Sequence, residues 1–176
     1  RERVINKGMA TGARIVLPEG HDKRVQNAVT ELTSLGFKIV NNKNFQDNID
    51  IYLDYLNTLP FTENWPADNL REYLKDPLHF SMAMVACDDA DGLAAGAVTP
   101  SKDVIRTAIR MIGIRPTSNN VSSIFFMISP DGKKAFTFGD CAVIPEPDSK
   151  QLAAIASESA EFHQLLTGEE PILAFL

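Results

Sequence analysis

The sequence predicts an α/β protein: a three-layer α/β/α domain on a parallel sheet, followed by part of a second α/β domain. Three observations predict it. Two short apolar runs, residues 14–17 and 37–40, are bounded by turn-forming residues, as buried strands are. A segment of helical periodicity lies between them, so strand, helix and strand follow one another at βαβ distance. Beyond residue 120 the pattern changes to a strand, a Pro130-Asp131-Gly132 turn and a returning strand, the signature of a hairpin.

The elements follow in order. The first strand stops at Pro18-Glu19-Gly20, and Asp22 is placed to cap a helix with Val25, Ala28, Val29 and Leu32 on its apolar side. Gly36 closes that helix. Ile49, Tyr52, Leu53 and Leu56 predict another helix, with a loop from Pro60 to Pro66 and further helices over residues 70–74 and 78–87. Residues 91–98, small and apolar, read as a central strand whose glycines allow close approach of another element or a ligand. Ser101 is the expected N-cap of a helix over residues 102–112. Its apolar face carries Val104, Ile105, Ala108, Ile109 and Ile112, and its opposite side Lys102, Arg106 and Arg110. Residues 113–120, with Pro116, form the expected boundary between a first domain (1–115) and a second (116–176). There, residues 121–128 and 135–138 are the hairpin strands. Asp148 or Ser149 caps a helix over residues 151–166 with Leu152, Ile155, Ala156 and Phe162 inward, and Gly168 ends it. Residues 171–176 read as a further buried strand. Ligand sites of parallel sheets lie beyond the strands' carboxyl ends, so the second domain is expected to be truncated there.

Composition narrows the function without naming it. The chain has 176 residues, 44% of them hydrophobic, which suits one full domain or one and part of another. A net charge of −6 argues against a general nucleic-acid or membrane-surface binder, since both need a basic face, but leaves room for a small anionic ligand. No apolar run is long enough to cross a membrane, and the charged start lacks the apolar core of a signal peptide, so the cytoplasm is the default expectation. Cys87 and Cys141 have no metal-ligand spacing. His21, His79 and His163 are too dispersed for a metal site, so no metal is expected.

Several patches, in order, resemble the phosphate acetyl/butyryltransferase (phosphotransacetylase) family. They are Arg14-Ile15-Val16-Leu17-Pro18-Glu19-Gly20 with Arg24-Val25, Asp89-Ala90-Asp91-Gly92-Leu93 with Gly96-Ala97-Val98, and Asp103-Val104-Ile105-Arg106. Val121-Ser122-Ser123-Ile124-Phe125-Phe126-Met127, Asp140-Cys141-Ala142-Val143, Pro147 and Gln151-Leu152-Ala153, with Ile155-Ala156 and Ser159-Ala160, continue the series. The resemblance implies a phosphotransacetylase-like (isocitrate/isopropylmalate dehydrogenase-like) fold of two α/β domains with the active site between them, in a homodimer. It implies reversible acyl transfer, most simply acetyl, between coenzyme A and inorganic phosphate. Acetyl-CoA, phosphate and acetyl phosphate are the expected partners, and coenzyme A is a substrate with no bound cofactor. In such enzymes a coenzyme A thiolate attacks acyl phosphate, an aspartate acts as base, and arginines and a serine stabilise charge. The serine–arginine pair and aspartate lie in the family's second half and are not found here, so weak or no activity of this chain alone is expected. The chain also reads as shorter than the family between residues 35 and 57, and the family's arginine loop before Asp76-Pro77 is not recognisable.

Arg106 is the one phosphate-contacting arginine that carries over by position; a permanently charged planar fork suits phosphate. With Lys102 and Arg110 it could supply a local positive field for an anionic ligand, but from spacing alone the three read first as a solvated basic face, and the family match reverses that for Arg106 only. Thr99 and Ser101 sit where a strand gives way to a helix N-terminus, which can bind phosphate, although Ser101 as a simple cap reads equally well. Glu19 and Gly20 occupy a strand end where sites gather, or merely a turn. Ser122 and Ser123 are the remaining candidate substrate contacts and read as structural by themselves. Cys141 reads as a core residue rather than a nucleophile. A competing reading is a non-catalytic acetyl-CoA-binding or oligomerisation module, similar to the domain fused to malic enzymes; a third is a folded chain with no activity.

Overall fold

A computed structural model describes residues 2–40, 49–116, 118 and 120–175. The chain divides into two compact units, Arg1–Gly113 and Ile114–Leu176.

The first unit is mixed α/β on a parallel sheet. Helix α1 (Glu2–Thr11), not foreseen in the sequence, leads into β1 (Arg14–Val16), α2 (Lys23–Ser34) and β2 (Lys38–Val40). β1 and β2 run parallel, with Ile15 opposite Ile39, so the predicted βαβ unit forms. Asp22 caps α2 as expected, its carboxylate accepting from the Arg24 N–H, and Gly36 follows the helix end at φ +94°. The shortening expected between residues 35 and 57 includes residues 41–48, which lie outside the described residues.

Helices α3 (Ile49–Asn57), α4 (Ala67–Tyr73) and α5 (Pro77–Ala86) follow, with a short 3₁₀ turn at Pro60–Thr62. Asp76 caps α5 by accepting from Leu78 and His79 N–H groups, and Pro77 occupies the first helical position, where its missing donor costs nothing. α5 buries Leu78, Phe80, Met82, Ala83 and Met84 in the core with Leu56, Leu70, Leu74 and Val16. A helix apolar all round has no solvent face to keep, and α5 is accordingly the central helix.

β3 (Gly92–Leu93) corrects one expectation. It is an edge strand in the order β2–β1–β3 among the described residues, two residues long, not a central strand over residues 91–98. Its partner β1 ends at Val16, so the ladder has nothing to pair with beyond the Ala94 N–H donating to Val16 O. The following residues are largely exposed, with Val98 53% accessible. The close approach expected of the glycines holds at Gly92, where a Cβ would stand 3.3 Å from Ile15 Cδ1. Gly96 has open space around it and is instead required by its φ of +107°.

α6 (Ser101–Met111) carries two further corrections. Pro100 stands at the N-cap position and no side chain caps the helix, so Ser101 is its first residue and not its cap. The inward stripe is Val104, Thr107, Ala108 and Met111, while Ile109 and Ile112 are 40% and 49% exposed. A stripe at i, i+3, i+4 and i+7 faces α5, and the small Thr107 and Ala108 suit that contact better than the bulkier isoleucines beside them.

The second unit is the hairpin of β4 (Ile124–Ile128) and β5 (Ala135–Gly139) with helix α7 (Ser149–Thr167) packed on it. Phe126 meets Phe162 edge-on at 6.4 Å, and the Thr137 hydroxyl and His163 Nδ1 share a hydrogen bond of 3.1 Å. Register places Phe125 opposite Phe138 and Met127 opposite Phe136, and these four are 49–60% exposed on the other face. Asp148, one of the two caps expected, forms a capping box with Gln151, and Gly168 ends α7, as predicted, in the left-handed region. Of the expected inward residues Ile155 is buried, but Leu152 is 39% exposed. Residues 171–175 form no strand, and Ile172 is 97% exposed; a strand exists only by pairing, and neither β4 nor β5 pairs with them. Leu176 lies outside the described residues.

Candidate functional site

The first unit holds a cavity of about 360 Å³ walled by three parts of the chain. α6 contributes Asp103, Arg106, Thr107 and Arg110; the start of α5 contributes Asp76, Leu78 and His79; Tyr73 ends α4 and Thr99 precedes α6. Helical geometry brings the two arginines together, because residues four apart share a face. Arg106 lies 3.5 Å from Asp103 and is 58% exposed, so its guanidinium is tethered but open to solvent. The Arg110 guanidinium stands 5.8 Å from the centroid of the Phe61 ring, a cation–π contact that holds it without neutralising it.

His79 closes one wall. Its ring stacks on Tyr73 with centroids 3.7 Å apart, and its Nδ1 lies 3.0 Å from the Tyr73 carbonyl oxygen. Burial pushes the Tyr73 hydroxyl pKa up, against an opposing pull from Arg110. Asp76 is occupied by the N–H groups at the start of α5. Asp76 is thus spent on backbone donors and Asp103 lies against Arg106, which leaves Arg110 and the remaining Arg106 donors to face one small cavity. The arrangement can hold an anion of phosphate size by side chains.

Backbone groups contribute less than the sequence suggested. Glu19, 4% exposed, accepts four main-chain hydrogen bonds: from Gly96 and Ala97 N–H to Oε2 at 3.1 and 2.8 Å, and from Val98 and Thr99 N–H to Oε1 at 2.9 and 2.6 Å. Burial raises its pKa, but the Thr99, Val98 and Ala97 amides outweigh that and bring it to about 2. Thr99 therefore lines the cavity with both its N–H and its hydroxyl turned to Glu19. Ser101 does not line the cavity, and Lys102 lies outside it as well. Arg110, weighed in the sequence with Lys102 as a neighbour of Arg106 in a basic cluster, does line the cavity, whereas His79 lines it without having had a local signal.

Ser122 and Ser123 lie in the second unit, just before β4. The Ser122 hydroxyl donates to Glu158 at 3.2 Å. Ser123 is fully engaged: its hydroxyl donates to Asp140 at 2.7 Å and accepts from the Cys141 and Ala142 N–H groups at 3.0 and 2.8 Å. Asp140 also accepts from the N–H groups of Ser123, Val143 and Ile144. Burial opposes ionisation of Asp140, but these donors hold its pKa well below the carboxylate range. The pair folds the loop over residues 140–144. Cys141, expected in the core, is half-buried, with its thiol donating to the Phe138 carbonyl at 3.1 Å. Among the described residues no cluster of three His, Cys, Asp or Glu side chains is placed to hold a metal, and no helix is long and apolar enough to cross a membrane.

Comparisons with known proteins bear on this arrangement. The phosphate acetyl/butaryl transferase family profile matches residues 30–176. The phosphate acetyltransferase of Acetivibrio thermocellus is 29% identical over 202 residues, taking in 99% of this chain and 61% of that protein. That of Acinetobacter baylyi is 31% identical over 184 residues, covering 92% of this chain and 25% of the relative. Among solved structures, the EutD phosphotransacetylase from Staphylococcus aureus superposes with a TM-score of 0.79 at 28% identity, over 97% of this chain and 58% of that one. A phosphotransacetylase from Streptococcus pyogenes gives 0.71 at 25% identity, over 92% and 56%. The chain therefore spans 61% of the first of these relatives' length, and 99% of its 176 residues are spread over a match of 202 positions, so it is shorter within the match.

Proposed function

The chain belongs to the phosphate acetyl/butaryl transferase family, and we propose that the protein transfers an acetyl or other short acyl group between coenzyme A and inorganic phosphate. In the direction of thioester synthesis, the coenzyme A thiolate attacks the acyl phosphate carbonyl carbon. The carbon–sulfur bond forms, the bond to the phosphate oxygen breaks, and phosphate leaves with the charge that accumulates on it. Arg106 is the residue of this chain assigned to that charge, with Arg110 beside it. The observation that carries the reading is that Arg106, the one family arginine recognisable in the sequence, opens into a cavity with a second arginine. Preorganised positive groups of this kind stabilise charge that develops during reaction better than water does.

Coenzyme A as a substrate with no bound cofactor, a homodimer, a cytoplasmic setting and domains over residues 1–115 and 116–176 belong to the same reading. Ser101, Ser122 and Ser123 enter it as supports of the loops that carry them, given the contacts of Ser122 and Ser123 and the place of Ser101 at the start of α6. The test is formation of acetyl phosphate from acetyl-CoA and phosphate by the full-length protein. Activity that falls in Arg106→Ala and is only partly recovered in Arg106→Lys supports the assignment, since lysine lacks the planar fork. No acetyl phosphate from the full-length protein removes the proposal.

A second reading, an acetyl-CoA-binding module without turnover, is favoured by one observation: the chain is shorter than its relative within the matched region. Calorimetry with acetyl-CoA beside the activity assay separates the two, because binding without turnover supports the module.

A further inference from the structure

Two stretches that lie far apart in the sequence, residues 14–24 and 91–99, are bonded by side chains at both ends. At one end the Arg14 guanidinium forks onto Asp91, Nε to Oδ2 at 3.0 Å and Nη2 to Oδ1 at 2.8 Å, while the Arg14 N–H donates to the same carboxylate at 2.7 Å. At the other end Glu19 takes the four amides of residues 96–99, and Arg24 Nη2 donates to the Ala97 carbonyl at 2.7 Å. Between these ends β1 and β3 pair through only two residues each. Glu19 thus takes over where the ladder stops.

Four consecutive N–H groups converging on one point form an anion-binding concavity. The turn at Gly96, with φ +107°, makes that convergence sterically accessible. At the start of a helix such a concavity ordinarily receives a ligand anion. Here the anion is a side chain of the protein, 4% exposed, with both oxygens used twice.

We propose that Glu19 is a positioning residue, a built-in anion that fills the amide concavity of residues 96–99 and so sets Thr99 and the first turn of α6 against the Arg106 cavity. This rests on reading that cavity as a phosphate site. One consequence is that phosphate there is held by side chains, because the nearest backbone donors are already spent.

The experiment is hydrogen exchange of the amides of residues 96–99, together with phosphate titration, in the wild type, Glu19→Ala and Glu19→Gln, each with and without excess formate. In Glu19→Ala these four amides exchange at least about tenfold faster, the loss of a hydrogen bond's worth of protection, while the core amides of α5 keep their rates. Phosphate binding weakens about fivefold or more, as expected when a binding side chain is misplaced rather than removed. Formate, a carboxylate small enough for the vacated space, restores the protection. Glu19→Gln keeps the size but presents one oxygen to four donors, so it loses protection and formate does not rescue it. Unchanged exchange at residues 96–99 in Glu19→Ala, or protection that formate does not restore in a folded variant, overturns the proposal. If Glu19→Ala does not fold, Glu19→Gln decides: wild-type protection there overturns it. A wild type that fails to bind phosphate overturns the cavity reading, while the exchange data still decide whether Glu19 anchors the loop.

Discussion

Charge and its partners decide what each residue of the first unit can do. Arg106 is tethered by Asp103 at 3.5 Å yet more than half exposed, which leaves its fork available to a ligand. Arg106→Ala is expected to lower kcat/KM for acyl transfer by about 10²–10³, the scale found when one donor to a developing charge is removed. Steady-state kinetics on the full-length protein check it. Glu19 makes a different prediction. Its carboxyl, ordinarily at 4.5, is held at about 2 in the folded chain, so its contribution to stability is complete above the ordinary value and is lost as pH falls through the folded one. Asp22 and Asp91 act in the same sense, each brought from 3.8 to about 2 first by a side-chain hydrogen bond from an arginine. The wild-type thermal midpoint should therefore fall between pH 4.5 and pH 2. Glu19→Gln should start lower at neutral pH and fall less across that window. A Glu19→Gln acid limb as steep as that of the wild type contradicts the assignment. Arg106 was legible in the sequence because the residues around it carry a family pattern. The job of Glu19 was not, because its partners lie 77–80 positions away and no local spacing encodes them.

Most elements with local signals were legible, although the Ser101 cap did not form and α1 was not foreseen, and those that depend on a partner were not legible. The caps at Asp22 and Asp148, the helix ends at Gly36 and Gly168 and the turn at residues 130–132 all follow from single residues, and the structure has them. The length of β3, the rotation of α6 and the fate of residues 171–175 are set by what each packs or pairs against. Asp148→Ala should cost about 1 kcal/mol through loss of its cap, read as a lower denaturation midpoint of the second unit. Gly139 tests the packing of β5 on α7. A Cβ there would stand 2.5 Å from Ser159 Oγ and 3.3 Å from Ile124 and Ile155. Gly139→Ala should destabilise the second unit by about 1–3 kcal/mol through overpacking. The Ser159 hydroxyl is buried without a hydrogen-bond partner among the described residues. Ser159→Ala should therefore be neutral or stabilising, and should recover part of the loss in the double variant. Chemical denaturation of the four proteins measures that coupling, and strict additivity would contradict the contact.

Family membership and the Arg106 cavity join at the scale of the whole molecule, where the acidic chain, at net charge −6, places Arg106 and Arg110 on one helix face. Local concentration of positive charge is what lets an acidic protein take an anionic substrate. The first two sequence patches that carry the resemblance are also physical neighbours: Arg14 binds Asp91, and Glu19 binds the amides of residues 96–99. They look like separate signatures in the linear chain and form one clamp in the fold. The most direct measurement is acetyl phosphate formed from acetyl-CoA and inorganic phosphate by the full-length protein, run beside its Arg106→Ala variant. Turnover that depends on both substrates and falls about 10²–10³-fold in the variant is the result predicted here. No turnover in the full-length protein, or equal turnover in the two, would contradict it.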